Sequence, residues 1–174
     1  MISANSPIDA FTEFCGKLTA WTTLAMLLCT CFVVVARYLF DSGSIALQET
    51  VLSLHALAFM LGTAFTLKRG GHVRVDIFYR HFSPRRRALI DALGTVFFLL
   101  PTCGLIFWLS FDYVSNSWAM KEHSAESAGL PWVYLLKSLL LIMPTLLLIQ
   151  GISELLKCFA TLRSPTNTSL TATE

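Results

Sequence analysis

"LKRGGHVRVDIFYRHFSPRRR", residues 67–87, gathers seven of the chain's thirteen Lys and Arg residues: Lys68, Arg69, Arg74, Arg80, Arg85, Arg86 and Arg87. Apolar sequence lies on both sides of it. Over all 174 residues, 55% are hydrophobic and 14% are charged, at a net charge of +2. An ordinary soluble domain carries about 25% charged residues. A chain this apolar cannot cover a water-exposed surface, so the basic stretch reads as a loop between membrane spans. A net charge this small points to no nucleic-acid partner.

Working outward from the loop, four segments reach the roughly 20 apolar residues that a bilayer core demands of a helix. They are about 16–37, 46–67, 88–113 and 132–157. The second is the most interrupted, by Gln48, Glu49 and His55. Ser83-Pro84 has the form of an N-cap followed by a first-turn proline, and opens the third. Gly129-Leu130-Pro131 precedes the fourth. Pro101 and Pro144 lie inside spans, where each removes a backbone donor and bends its helix. The polar tail 161–174 is expected to be disordered.

Short loops rich in Lys and Arg stay in the cytoplasm. The 68–87 loop is therefore expected inside. The 38–45 loop has no Lys or Arg and 114–131 has only Lys121, so both are expected outside, with both termini cytoplasmic. Arg37 is the exception at the outer end of the first span; it snorkels to lipid phosphate or pairs with Asp41. The N-terminal segment 1–15 carries Asp9 and Glu13 and no basic residue, which is not the pattern of a secretory signal. Within the loop, Val75, Phe78, Tyr79 and Phe82 recur at i, i+3, i+4 and i+7. That period suggests a short interfacial amphipathic helix over about 73–82; the competing reading is a plain polar loop with aromatics. The expected architecture is an all-α membrane protein of four transmembrane helices plus this interfacial helix.

Ionisable residues inside a span are candidates for function, but here most sit near span ends. Lys137 lies within snorkelling reach of the outer headgroups. Gln150 and Glu154 are near the inner end. Only His55 is deep, and it reads as a helix–helix hydrogen bond rather than one half of a paired haem site. The five cysteines read as small packing residues; Cys29 and Cys31, two apart on a helix, point away from each other and cannot grip one ion. No chain of acids crosses the membrane. No nucleophile–base pair, phosphate loop or inverted repeat appears. These features point away from an enzyme and away from a complete transporter.

In order and spacing, "ARYLF" (36–40), Gln48-Glu49, "LGTAFTLKRGGHVRVDIF" (61–78) and "SPRRRALID" (83–91) resemble the small membrane subunit of tripartite ATP-independent periplasmic (TRAP) transporters, the DctQ family. The likeness runs from about residue 15 to 160; the family's tryptophan ahead of the glutamate is missing from "SIALQE". The resemblance implies a non-catalytic subunit of the bacterial inner membrane. It would support a large, elevator-type membrane subunit and help dock a periplasmic substrate-binding protein during sodium-driven uptake of a small organic acid. No cofactor is expected, and sodium coupling is expected in the large subunit. By the same resemblance Arg37, Gln48 and Glu49 would steady the outer end or meet the partner. His72, Arg74 and Asp76 would fix the inner loop. Trp118, Glu122 and Glu126 would form an outer loop facing the binding protein. Lys68, Arg69, Arg85, Arg86 and Arg87 would hold anionic membrane lipids. Two other classes stay open: a membrane-anchor subunit of an oxidoreductase, and a stand-alone homo-oligomeric transporter.

Overall fold

A computed structural model of the chain describes residues 7–70 and 82–163. The expected interfacial helix at 73–82, with His72, Arg74 and Asp76, falls outside the described residues except for Phe82, as does the tail beyond Arg163. The described residues are helical, with no strand among them. In order they form α1 (Pro7–Leu39), α2 (Ile45–Lys68), α3 (Pro84–Gly94), a π-helical turn (Thr95–Leu99), α4 (Leu100–Met120) and α5 (Val133–Arg163). Four stretches are long and apolar enough to cross a membrane: Ile8–Leu39, Ile45–Lys68, Arg85–Met120 and Val133–Arg163. Helix is what such runs must adopt, because hydrocarbon offers the backbone no other hydrogen-bond partner.

The helix ends follow from local chemistry. Ser44 and Ser83 each sit in extended backbone and accept a hydrogen bond from the N–H three residues on, Leu47 and Arg86. Pro84 follows at the first helical position, where its missing N–H costs nothing. At the other end of the third span Lys121 takes the left-handed conformation (φ 47°), and its N–H and that of Glu122 close onto the carbonyls of Trp118 and Ser117. That double closure satisfies carbonyls the helix would otherwise leave bare. α1 starts well ahead of the apolar run at 16, because Pro7 and Asp9 suit a first turn.

Pro101 has a visible consequence. The turn ahead of it is π-helical, with the N–H of Leu100 reaching the carbonyl of Thr95. A proline ring collides with the carbonyl four residues back in a regular α-helix. Widening the turn moves that carbonyl aside without breaking the span.

α2 packs against both α1 and α5, and α5 packs in turn against α3 and α4, so α5 is central. α1 also touches α5. Close approach depends on small side chains, as expected where lipid competes equally for large ones. A Cβ on Gly16 would lie 2.4 Å from a carbon of the Phe65 ring, and one on Gly62 would lie 3.3 Å from the Thr19 methyl. One on Gly151 would lie 2.7 Å from Leu99, at the π-helical turn. The buried apolar side chains are correspondingly small, among them Cys15, Ala64, Ala88, Ala92 and Cys103. The bulky ones face outward: Trp21, Phe59, Phe98 and Trp108 are all exposed. The spans thus present wide apolar faces.

Candidate functional site

The polar residues of the array gather at its two ends. At the end carrying Lys68, three helices meet. Asp9, Thr12 and Glu13 on α1 follow the i, i+3, i+4 spacing of one helix face, and Gln150, Glu154 and Lys157 on α5 follow i, i+4, i+7. The Lys157 ammonium bridges Asp9 (3.0 Å) and Glu154 (2.9 Å). Gln150, fully buried, donates to Glu154 at 2.9 Å and to Asp9 at 3.3 Å, and accepts from the Thr12 hydroxyl at 2.8 Å. From α2, Lys68 donates to the Asp9 carbonyl (2.7 Å) and to Glu13 (2.9 Å). Arg69 also bonds Glu13, at 2.7 Å, while lying over the Phe65 ring. Alternating signs leave little net charge where α1, α2 and α5 converge. Arg85 donates to the Leu162 carbonyl at 3.0 Å, tying the start of α3 to the end of α5.

At the opposite end, Glu49 in the first turns of α2 organises the loop between α4 and α5. Its carboxylate accepts from the Ser124 hydroxyl and from the Leu130 N–H (2.6 Å). The loop closes on itself: Ser124 N–H to Leu130 carbonyl, Gly129 N–H to Glu126 carbonyl, Glu126 N–H to Ser124 hydroxyl. Gly129 packs so closely on Ser124 and Glu49 that no Cβ fits. Nearby, Glu122 meets Lys137 at 2.5 Å, and the ammonium also lies 4.1 Å from the centroid of the Tyr113 ring. That ammonium holds the Glu122 carboxyl below the usual carboxylate range. Trp118 donates to Ser138 (2.8 Å) and packs edge-on against Tyr134. The loop is therefore a shaped surface rather than a slack connection.

The sequence-predicted residues divide accordingly. Glu49, Trp118 and Glu122 belong to the loop assembly. Lys68 and Arg69 are drawn to Glu13, Arg69 keeping 59% of its side chain exposed. Arg37, Gln48, Arg85, Arg86 and the Glu126 side chain are exposed, and Arg87 is half-buried and donates to the Phe82 carbonyl. His55 forms no helix–helix hydrogen bond within the described residues; it is exposed on the outer side of α2. Sequence reasoning missed Asp9, Thr12, Glu13, Gln150 and Ser124 as partners. The signal for four of them was a matched pair of polar faces at one depth on two spans.

Hollows open near both ends. A crevice of about 220 Å³ between α2 and α5 is lined by Glu49, Leu52, Ser53, Leu130, Trp132 and their neighbours. A wider groove of about 640 Å³ near the Lys68 end is flanked by Leu67, Asp91, Thr95, Phe98 and Glu154. Glu49 and Glu154 are already occupied by the bonds above. Among the described residues no three His, Cys, Asp or Glu side chains converge as metal ligands. What the geometry does chemically is to lock helices at one end and a loop at the other. A family model described as "Tripartite ATP-independent periplasmic transporters, DctQ component" matches residues 26–161. No match was found among curated proteins or among solved structures.

Proposed function

The chain belongs to the DctQ family, the membrane component of tripartite transporters, and on that premise we propose that it is the non-catalytic scaffold of such a transporter in the bacterial inner membrane. It supports a large elevator-type membrane subunit and contributes to docking of the periplasmic binding protein. Uptake is of a small organic acid and is driven by sodium, with the substrate and sodium sites in the large subunit. The observation that supports this reading best is how little of the four apolar spans is buried within the chain. Wide apolar faces, with the bonds between helix side chains gathered at the two ends, offer no lane for a solute but suit a brace against a larger body.

Orientation follows from charge. Lys17, Lys68, Arg69, Arg85, Arg86, Arg87, Lys157 and Arg163 collect at one end, which the positive-inside rule assigns to the cytoplasm. The Glu49 end and its loop then face the periplasm. There Lys121, His123 and Glu126 are exposed on a loop already held in shape, so docking orders little new structure and loses little entropy. The test is binding of the cognate binding protein to the purified membrane complex. Glu122→Lys with Glu126→Lys is expected to weaken it about tenfold or more. Unchanged binding would remove the docking role.

A further inference from the structure

α2 carries one outward stripe, Gln48, Leu52, His55 and Phe59, at i, i+4, i+7 and i+11, and all four are exposed. α1 and α5 both pack against α2, and neither covers this stripe. His55 is ten residues beyond the helix start at Ile45, about 15 Å along the axis at helical rise. That is close to the middle of a hydrocarbon layer about 30 Å thick. Neither His55 nor Gln48 makes a side-chain hydrogen bond among the described residues. Exposed hydroxyls elsewhere satisfy themselves: Thr23 and Thr30 on α1 bond back to the carbonyls of Thr19 (2.9 Å) and Met26 (2.8 Å). An imidazole held off its own backbone has no such recourse. Polar groups facing hydrocarbon without a partner are disfavoured, so this stripe is not made for lipid.

We propose that the Gln48–Leu52–His55–Phe59 stripe is the surface that meets the large membrane subunit. His55 exchanges a hydrogen bond with a polar group of that subunit at mid-membrane depth. The inference rests on the scaffold reading above and adds which face is used. The family places this chain among the components of a tripartite assembly, so a second, different membrane polypeptide is at hand to supply that group.

The test combines substitution with crosslinking in the complex of this chain with its large subunit. His55→Leu is more apolar, so in lipid it would be neutral or would favour membrane insertion. Against a polar partner it is expected to weaken association about 3- to 20-fold, the span of a single intramembrane hydrogen bond. His55→Gln is expected to restore part of the loss. A photoreactive residue at Leu52 or Phe59 should crosslink the large subunit, while one at Leu28, on the side of α1 away from α2, should not. If the complex forms but the stripe captures no protein and His55→Leu is neutral, the stripe faces lipid; the proposal fails and the scaffold reading stands. Capture of a second copy of this chain also overturns it. If wild-type chain and large subunit form no complex at all, the scaffold reading fails first, and this inference with it.

Discussion

Gln150→Leu isolates the polar knot at the Lys68 end. The glutamine is fully buried and makes three side-chain hydrogen bonds, to Thr12, Glu154 and Asp9. Each partner keeps another: Thr12 the Ile8 carbonyl at 3.0 Å, and the two acids Lys157. Leucine has similar volume, so no large cavity opens. The loss is then the net worth of three bonds without a bare charge, about 0.6–1 kcal/mol each, one of them long, or roughly 2 kcal/mol in sum. Every 1.4 kcal/mol is tenfold in an equilibrium constant, so local opening of α1 from α5 should become about 30-fold more frequent. Cys15 reports this opening, being buried on the same face of α1 as Thr12. In a variant keeping only that cysteine, maleimide labelling of the folded protein should speed up about 30-fold. Thr12→Val removes one of the three bonds and should speed it only several-fold. Equal labelling of wild type and Gln150→Leu would refute the idea that this network holds α1 down.

Two further predictions concern packing and pH. Gly16→Val forces carbon against the Phe65 ring, and that ring is itself covered by Arg69; overpacking of this kind costs about 1–3 kcal/mol, so the protein's thermal midpoint in detergent should drop. The Glu122 carboxyl, depressed by Lys137, stabilises the outer loop at every pH above its unfolded value of about 4.3. That contribution is lost only as pH falls through the lower folded value, so Trp118 fluorescence in a variant retaining only that tryptophan should be flat from pH 7 to 5. It should change only at pH below that unfolded value, and Glu122→Gln should abolish the change.

The spans were legible because run length and hydropathy decide them with little help from context. The caps at Ser83-Pro84 were legible for the same local reason. The order of spans across the layer was not, since the pattern of apolar residues says which faces are greasy but not which neighbour covers them. The knot at the Lys68 end was half visible. Gln150 and Glu154 read as shallow from the sequence, but nothing local pairs them with Asp9 and Glu13, which lie ahead of the first apolar run and share a helix face with Thr12. Glu49 was singled out, yet its work could not be read. Its partners are a hydroxyl and a backbone N–H, at Ser124 and Leu130, more than seventy residues away. His55 was deep, as expected, but it turns outward, because α1 and α5 occupy the other sides of α2.

The proposed role is that of a brace for a larger membrane subunit. Co-expression with its large membrane subunit, followed by gel filtration in detergent, tests it most directly. The expected result is a stable one-to-one complex and a lone chain that aggregates through its exposed apolar faces. A well-behaved homo-oligomer that ignores the large subunit would contradict it.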